Sequence, residues 1–418
     1  MPPAFSAPKG TRDILPPESG QWVELVGRFA TQMQRAGYGL LQSPMFEEIS
    51  VFERIGEGTD VVSKEMYDFE DKGGRHIALR PEGTASAVRA YLEHRPTPPW
   101  KVWYAAPSFR YERPQAGRYR QHHQVGAEAI GSADPDLDVE SIALAWDFLA
   151  DLGLQRVELL LNSLGEPQAR AAYVESLRDH LRNREAELAE EDRAKVESHP
   201  MRVLDSKRPE SAGVVSEAPV LADHLSAEAK AHFDRVQDGL TALAIPFTVE
   251  PRLVRGLDYY THTTFELKAG ALDAAQDAVG GGGRYDGLAE ALGGTAAPGV
   301  GFALGIERTL TALGAEGRAP EGSGGTEVFV VDVAGGEAAR AITAELRRAG
   351  IGADRAFDDR SMKSQMKSAD RSGARLALIV GEDEAAAGVV TVRDLRGGSE
   401  QITVERDGVL AHVQERLP

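Results

Sequence analysis

The sequence predicts an α+β protein in which an antiparallel sheet flanked by helices precedes a smaller α/β domain. Arg110 and Glu112 alternate at the end of one segment, and Val125, Ala127 and Ala129 restart a period of two in the next, which predicts strands at 101–112 and 121–130 on either side of a turn. Residues 17–37, and the segment after Asp134-Pro135, carry apolar side chains at helical spacing. Beyond residue 326, strand and helix patterns alternate, as is typical of α/β domains.

The first domain is predicted to span residues 1–313. Its first helix, between Pro17 and Gly37, is marked by Trp22, Val26, Phe29 and Met33. Further strands are predicted at 156–161 and 263–267. Residues 166–244 are rich in Ala, Glu, Arg and Leu and lack a strand pattern, so they predict a helical insertion within this domain.

A linker is predicted at residues 314–325, because this glycine-rich segment has almost no apolar side chain to bury. The tail domain, residues 326–418, should contain strands at 327–333 and 375–380, a helix at 337–349 and a hairpin over 389–404. Between residues 340 and 375 there are nine Lys or Arg against five Asp or Glu, a local +4 in a chain of net charge −18. This reversal is typical of a nucleic-acid contact, although a solvated basic helix face is the alternative.

Composition narrows the class of protein. The 418 residues suggest two or three domains, and no apolar run approaches the roughly eighteen residues of a membrane helix. The first residues do not resemble a signal peptide, so a cytoplasmic protein is expected. The absence of cysteine excludes disulfides, thiolate zinc sites and a cysteine nucleophile, and the ten histidines show no metal-ligand spacing. We therefore expect no metal held by protein ligands alone.

Four arginines lie close together in residues 107–128, PSFRYERPQAGRYRQHHQVGAE. Arg110, Arg113, Arg118 and Arg120 surround the predicted turn between two strands, and guanidinium groups match the geometry of phosphate. Glu112 and Glu128 place acceptors in the same segment. The pattern therefore predicts a site for an anionic nucleotide, although a solvated, salt-bridged hairpin remains an alternative.

Two more segments carry groups that could bind a substrate. In Arg80-Pro-Glu-Gly-Thr84, Glu82 and Thr84 could bind an ammonium group or simply cap the helix that follows. In residues 255–266, RGLDYYTHTTFE, one of Tyr259 and Tyr260 could pack while the other presents its hydroxyl to a ligand. An edge strand with stacked aromatic rings is an equally good interpretation of this second segment.

Two glycine-rich segments follow. Residues 280–287, GGGGRYDG, fit neither a phosphate loop nor a dinucleotide motif, so the glycines are expected to let the backbone pass close to a ligand. Residues 299–308, GVGFALGIER, run from a strand into a helix that carries Glu307 and Arg308. Arg308 could contact a purine ring or a γ-phosphate, or could be an ordinary surface arginine.

In this order, the segments resemble the histidyl-tRNA synthetases, which belong to class II of the aminoacyl-tRNA synthetases. Residues 9–16, KGTRDILP, resemble that family's opening, Pro44 lies at the position of the first class motif, and residues 107–128 resemble the second. Residues 255–266 resemble the histidine-specific signature, 299–308 the third motif and 361–370 part of the tail. The resemblance covers essentially the whole chain and is weakest in the insertion. It implies the class II catalytic fold with an α/β anticodon-binding domain.

The resemblance also implies activity and residue roles. Histidine and ATP would form histidyl-adenylate and pyrophosphate, and histidine would then pass to the terminal adenosine of tRNA(His). The implied catalytic residues are Arg110, Arg255 and Arg308. Histidine would be bound by Glu82, Thr84, Gln124, Glu128, Tyr259 and Tyr260. ATP, accompanied by Mg²⁺, would be bound by Arg110, Glu112, Arg118, Tyr119 and Arg308. Arg113 and Gln115 would contact the tRNA acceptor end, in a homodimer with no membrane or DNA partner.

Two other functions are compatible with parts of this pattern. The regulatory subunit of ATP phosphoribosyltransferase resembles the same catalytic domain and binds histidine without charging tRNA. Such proteins typically lack the tail and some of the catalytic arginines, whereas Arg110, Arg255, Arg308 and the tail are all present here. Without the resemblance, a generic nucleotide-binding regulator would also fit. Exchange of ATP with pyrophosphate stimulated by one amino acid would exclude it.

Overall fold

The computed structural model describes residues 5–54, 60–113, 118–204, 206, 208–253, 259–272, 277–322, 325–398 and 401–417. The chain divides into two compact units. The first consists of Met1–Leu15 with Gln21–Pro320, and the second of Pro16–Gly20 with Glu321–Pro418. Within the described residues, no helix is both long and apolar enough to span a membrane.

The strands up to residue 320 are β1 (Gly39–Leu40), β2 (Phe46–Glu48), β3 (Tyr67–Glu70), β4 (His76–Leu79), β5 (Trp100–Phe109), β6 (Gln121–Ile130), β7 (Val157–Ser163), β8 (Thr248–Val249), β9 (Thr261–Ala269), β10 (Ala278–Arg284) and β11 (Gly299–Gly305). The helices are α1 (Glu18–Arg35), α2 (Ser50–Glu53), α3 (Asp60–Ser63), α4 (Thr84–His94), α5 (Pro135–Asp151), α6 (Pro167–Asn183), α7 (Glu190–Arg193), α8 (Ala212–Ser216), α9 (Ala227–Ala242), α10 (Leu288–Ala291) and α11 (Ile306–Ala315). Short 3-10 turns occur at Glu185–Glu187, Pro200–Val203, Pro209–Ser211 and Leu221–His224.

The main sheet has eight strands in the order β1-β5-β6-β11-β10-β9-β7-β8. Neighbours from β5 to β7 in this order pair antiparallel, and only the two-residue strands β1 and β8 pair parallel. The predicted antiparallel sheet is confirmed. A second, three-stranded sheet in the order β2-β4-β3 leads through β4 into α4.

Helices cover the main sheet because their apolar faces share its core. Phe29 of α1 stacks edge-on against Phe148 of α5, with ring centroids 4.9 Å apart, and contacts Phe302 of β11 at 6.1 Å. The predicted helices at 17–37 and after Asp134 are confirmed. The second of these begins as expected, since the Asp134 side chain accepts a hydrogen bond from the backbone N–H of Asp136 and Pro135 is its first residue.

The helical segment predicted at 166–244 contains two parts. Helices α6, α7 and α8 with their 3-10 turns have a core of their own, which includes Tyr173, Leu177 and Leu181. Helix α9 instead packs against α5, and its Val236 and Leu240 belong to the core of the main sheet. The sequence of residues 166–244 could not show that its two parts pack in different cores, because both parts have the same helical periodicity.

Strand β10 was not predicted, because four consecutive glycines have little intrinsic preference for a strand. The glycines are required by close packing: a Cβ on Gly280 would overlap the Ala303 carbonyl of β11, and one on Gly282 would overlap the Gly301 carbonyl. In the predicted linker, α11 continues to Ala315 before the chain leaves the helix.

The second unit has a five-stranded sheet in the order β13-β12-β14-β15-β16, with β12 parallel to both neighbours and the remaining pairs antiparallel. Its elements are β12 (Val328–Asp332), α12 (Glu337–Arg348), β13 (Ala353–Arg355), α13 (Met362–Arg371), β14 (Leu376–Val380), α14 (Glu382–Ala387), β15 (Val389–Asp394), β16 (Gln401–Glu405), a 3-10 turn (Arg406–Gly408) and α15 (Val409–Arg416). The predicted α/β character of the tail is confirmed.

Candidate active site

A cavity of about 710 Å³ lies over the main sheet of the first unit. Its walls come from the β4–α4 turn, strands β5, β6, β9, β10 and β11, the start of α11 and the insertion. The predicted site residues that line it are Glu82, Thr84, Arg110, Glu112, Arg118, Tyr119, Gln124, Tyr259, Tyr260 and Arg308. Segments separated by more than two hundred residues of sequence therefore meet in one site.

Three arginines form the cationic side of the cavity. Arg110 donates from Nε to the Pro81 carbonyl at 2.9 Å, and Arg308 donates from Nη1 to the Ala278 carbonyl at 2.6 Å. Burial, and next the neighbouring Arg118, lower the pKa of Arg308. One Glu112 carboxylate oxygen lies 3.9 Å from Nη1 of Arg110 and the other 3.6 Å from Nη1 of Arg118. The single negative charge of Glu112 offsets only part of the positive charge of the three arginines. The arrangement favours a bound anion.

His122 lies among these arginines and lines the cavity. Its pKa falls to about 3, chiefly because the ring is buried and next because Arg110 is close. The ring is therefore neutral near pH 7. Its neighbour His123 is held differently, because its backbone N–H donates to both carboxylate oxygens of Glu307 at 3.1 Å. Glu307 thereby ties the start of α11 to β6.

Glu128 lies on β6 behind the cavity wall and is completely buried. Its carboxylate accepts hydrogen bonds from three hydroxyls: Thr84 at 2.7 Å, Tyr104 at 3.2 Å and Tyr285 at 2.7 Å. Burial raises the pKa of Glu128 to about 8, while these hydroxyls oppose the rise. Thr84 and Tyr104 line the cavity, so Glu128 orients the hydroxyl groups of two side chains in the cavity wall.

Glycines make room for this cluster. Glu128 is opposite Gly301 in the β6–β11 pair, and a Cβ on Gly301 would overlap its carboxylate. The Tyr104 ring lies between Gly83 and Gly126, where a Cβ at either position would overlap the ring. Glycine therefore allows side chains of the site to pack closely, while the approach of residues 280–287 to a ligand stays a prediction. Gly280, Gly281 and Gly305 also line the cavity itself.

Glu82 caps helix α4, as one of the two sequence interpretations predicted. Its carboxylate accepts from the backbone N–H of Thr84 at 2.5 Å and of Ala85 at 2.8 Å. Burial raises the pKa of Glu82, and the two backbone donors oppose that rise. Because Glu82 also lines the cavity, capping and ligand binding are compatible roles for the same carboxylate.

Tyr259 and Tyr260 lie side by side, with ring centroids 4.7 Å apart. Both line the cavity, and burial raises the pKa of the Tyr259 hydroxyl well above its usual range. The Tyr260 carbonyl accepts from Arg170 of α6 at 3.4 Å. The insertion therefore contacts the segment that carries the two tyrosines.

Of the remaining residues predicted for the site, the structure describes Arg113 and Arg120. Arg113 is exposed and is not among the residues lining the cavity. Arg120 has a structural role, since its guanidinium stacks over the Tyr111 ring at 3.8 Å and its Nε donates to the Glu112 carbonyl at 3.2 Å. Arg255 and Gln115 lie outside the described residues.

Several lining residues were not predicted as site residues. Tyr104 and His122 lie on β5 and β6, and Arg170, Lys195 and Arg202 come from the insertion. Strand alternation could have suggested that Tyr104 and the site residues of β6 share a face. No signal in the sequence could have brought the insertion's cations to the cavity, because helical periodicity carries no information on tertiary contacts of that kind.

Within the described residues, no group of three or more His, Cys, Asp or Glu side chains could hold a metal ion. Five glutamates nevertheless line the cavity, and two of them, Glu112 and Glu266, are close enough to Arg308 to oppose the fall in its pKa. A divalent cation that arrives with a nucleotide commonly uses one or two carboxylates and the phosphates themselves. The donor set therefore fits a nucleotide-bound cation.

Comparisons with known proteins identify the family of this chain. A family model described as histidyl-tRNA synthetase matches residues 10–309, and one described as anticodon binding domain matches residues 327–416. The chain is 48% identical to a histidine–tRNA ligase of Mycolicibacterium vanbaalenii over 99% of each protein. It is 47% identical to the one of Streptomyces coelicolor, over 99% of this chain and 98% of that protein.

The solved structures similar to this chain include both a histidyl-tRNA synthetase and a protein described as a regulatory subunit of ATP phosphoribosyltransferase. The apo histidyl-tRNA synthetase of S. aureus is 37% identical with a TM-score of 0.80, covering 98% of this chain and 100% of that one. A Bacillus halodurans protein described as an ATP phosphoribosyltransferase regulatory subunit/histidyl-tRNA synthetase is 20% identical with a TM-score of 0.61, covering 85% of this chain and 93% of that one. At that identity the likeness shows a shared fold only. The full-length relatives and the matched tail exclude the regulatory-subunit alternative, and the chain belongs to the histidyl-tRNA synthetase family.

Proposed function

We propose that this cavity is where the histidine–tRNA ligase forms histidyl-adenylate and passes histidine to the terminal adenosine of tRNA(His). The observation that carries the proposal is the combination of two surfaces in one cavity. One presents hydrogen-bond acceptors from Glu82, Thr84 and Tyr104, and the other presents the guanidinium groups of Arg110, Arg118 and Arg308. An amino acid with cationic and N–H groups fits the first, and ATP fits the second.

Histidine recognition follows from the direction of the hydrogen bonds. Thr84 and Tyr104 donate their hydroxyl hydrogens to the same oxygen of Glu128, Oε1, so their own oxygens can only accept from a ligand. Since the pKa of Glu128 is about 8, the carboxyl group is largely protonated near pH 7, and Oε2, on the Tyr285 side, can carry the proton without disturbing these two bonds. The α-ammonium group would face Glu82 and Thr84. The imidazole would lie toward Tyr260 and the Glu128 cluster, with Gln124 and Tyr259 completing the wall. A site built from such acceptors rejects amino acids that lack the matching donors, since its buried polar groups would stay unpaired.

Adenylate formation needs positioning and charge stabilisation. The histidine carboxylate is already ionised near pH 7, so no general base is required for its attack on the α-phosphate. Arg110 and Arg308 would hold the α- and γ-phosphates. Arg118 and Tyr119 would close over the nucleotide, with Glu112 near the adenine. Arg255 would neutralise charge on the α-phosphate from the opposite side.

Mg²⁺ would enter with ATP. Glu266 would contact it or its waters, and its charge would offset that of the departing pyrophosphate. Arg113 and Gln115 would contact the acceptor end of tRNA(His), and the second unit its anticodon. No DNA or membrane partner is proposed. A cytoplasmic location belongs to the same proposal, since tRNA is charged where translation takes place.

Replacing Glu128 with Met tests this explanation of histidine recognition. Methionine has a similar size but no oxygen, so the Thr84 and Tyr104 hydroxyls both lose Oε1 of Glu128 as the acceptor that fixes their hydrogens. We expect kcat/KM for histidine to fall roughly tenfold to a hundredfold, as leaving a buried polar group unpaired costs about 1–3 kcal/mol. The KM for ATP should stay within about twofold, because the arginines are untouched.

Pyrophosphate exchange at varied histidine and ATP concentrations measures both quantities. Tyr285→Phe is the matched control, because it removes the hydroxyl that reaches Glu128 from outside the cavity lining. Its effect on the histidine KM should be severalfold smaller. An unchanged histidine KM in Glu128→Met would show that Glu128 has no part in recognition.

A homodimer is also proposed, supported by apolar side chains left exposed on the segment that follows α1. Leu40 is 55% exposed, Met45 51% and Phe46 52%. Arg80 connects this segment to the site, since it donates to Ser43 Oγ at 2.9 Å and to the Pro107 carbonyl at the end of β5 at 2.8 Å. Burying the segment against a second copy would therefore support the strand that carries the cationic side of the cavity.

Phe46→Asp should convert the dimer to a monomer and lower pyrophosphate exchange by at least about tenfold, because a charge at a dimer interface must be desolvated. Light scattering at the assay concentration measures the mass. Leu243→Asp, at an equally exposed leucine on the far end of α9, is the control and should leave the dimer intact. A wild-type protein that is an active monomer would contradict the proposal directly.

A further inference from the structure

Strand β9 contains an irregularity next to the tyrosines of the cavity. Its pairing with β10 is regular from Gly281 to Gly283, which is opposite Thr264, but the next residue, Arg284, is opposite Thr261. His262 and Thr263 are therefore extra residues in β9. His262 has a φ of +43°, which is uncommon for a residue other than glycine. Bulges of this kind turn the chain and change the direction of neighbouring side chains.

The backbone and the ring of His262 are both held. Its N–H donates to the Gly165 carbonyl at 2.9 Å, and its carbonyl accepts from the Leu164 N–H at 2.6 Å. Its ring stacks on the ring of His232 in α9, with centroids 5.1 Å apart and planes 26° apart. The left-handed conformation is thus fixed by the turn between β7 and α6 on one side and by α9 on the other.

A buried ion pair anchors the other end of the bulge. Asp286 donates its N–H to Thr261 Oγ1 at 3.2 Å and accepts on its carboxylate from Arg284 Nη1 at 3.2 Å. Arg284 is fully buried and donates from Nε and Nη2 to Asp138 of α5. Buried arginines are rare unless they are paired in this way, because an unpaired charge is strongly disfavoured in a protein interior. Breaking this ion pair would therefore destabilise the fold around the bulge.

The position of the bulge suggests what it does. Tyr259 and Tyr260 immediately precede it, and both line the cavity. We propose that His262 is a positioning residue for histidine recognition: its left-handed backbone, stabilised by the stack on His232, sets the direction in which Tyr259 and Tyr260 enter the cavity. This inference rests on the proposed role of the two tyrosines in binding histidine.

Two substitutions at His262 separate backbone from ring. Both Ala and Gly remove the stack on His232, but only Ala retains the cost of a positive φ, because glycine adopts that conformation freely. His262→Ala should raise the histidine KM in pyrophosphate exchange about tenfold, with the ATP KM within about twofold. His262→Gly should raise the histidine KM by less than about threefold. His232→Ala, which removes the stack from the side of α9, should raise it in the same direction as His262→Ala.

The KM values of these variants either support or overturn the positioning role of His262. Equal histidine KM values in the Ala and Gly variants, whether raised or unchanged, would overturn the inference, and so would an equal rise in the KM values for histidine and ATP. If His262→Ala does not fold, as judged by its thermal unfolding, the comparison of His262→Gly and His232→Ala with the wild type decides instead, and an unchanged histidine KM in His232→Ala overturns the inference.

Tyr260→Phe is measured in parallel. If it leaves the histidine KM unchanged, the proposed role of the tyrosine has failed; if it raises that KM while the His262 series does not follow the expected order, only the positioning role has failed.

Discussion

Arg308→Ala is expected to lower the rate of histidine-dependent pyrophosphate exchange by about a hundredfold or more, since removing one preorganised group that stabilises transition-state charge commonly costs that much. The guanidinium is fixed by its bond to the Ala278 carbonyl at 2.6 Å and lines the cavity beside Arg110 and Arg118. Burial and Arg118 lower its pKa, so the cation is less stabilised in the empty site than it would be beside a bound anion. Histidine affinity, measured by calorimetry, should change little.

Two variants make this result specific. Arg308→Lys keeps the charge but loses the planar, two-pronged donor geometry, so its exchange rate should lie between those of the wild type and of Arg308→Ala. Arg235→Ala removes an exposed arginine of α9 that pairs with Asp136 at 2.9 Å away from the cavity, and should leave exchange unchanged. Exchange within threefold of wild type in Arg308→Ala would show that this arginine does not act on the phosphates.

Truncation after Gly325 is expected to separate the two half-reactions. Residues up to Pro320 and from Glu321 form separate compact units, apart from Pro16–Gly20, and the cavity is lined only by residues of the first. The truncated enzyme should therefore still form histidyl-adenylate. Its KM for tRNA(His) should rise by about a hundredfold, because it loses the domain that carries the local +4 charge and matches the anticodon-binding family. Charging assays at several salt concentrations should also show a shallower salt dependence.

An acceptor-stem RNA without an anticodon is the matched control for truncation. Full-length and truncated enzyme should charge it with similar kinetics, since neither can use the anticodon there. Unchanged kinetics on full-length tRNA would mean that the second unit does not bind it. Loss of adenylate formation in a folded dimer would mean that the two units cannot act separately.

Much of the fold could be predicted, because its largest elements have strong local patterns. Strands β5 and β6 flank a turn marked by proline and glycine, and Val125, Ala127 and Ala129 of β6 have a period of two. Helices α1 and α5 have clear apolar faces, and α5 has an Asp-Pro start. Strand β10 could not be predicted, since its glycines are selected by contacts with β11 and not by their own preference for a strand. The same limit applies to α9, whose packing on α5 is a tertiary property.

The candidate site was predictable to a similar extent. Several predicted residues lie in segments of unusual composition or in recognisable motifs, and the cavity brings together Arg110, Arg118, Arg308, Glu82, Thr84, Tyr259 and Tyr260. The burial of Glu128 behind Thr84 and Tyr104 was not predictable, because it depends on glycine at 83, 126 and 301 in three separate segments. The roles of Arg113, Gln115 and Arg255 stay predictions from the resemblance.

We propose that this cavity joins histidine, and no other amino acid, to the α-phosphate of ATP. ATP–pyrophosphate exchange, measured with the wild-type enzyme and each of the common amino acids in turn, shows which amino acid is activated. We expect histidine alone to stimulate exchange, and Glu128→Met to weaken that stimulation through the histidine KM. Exchange that no amino acid stimulates, or that another amino acid stimulates as strongly as histidine, would contradict the account.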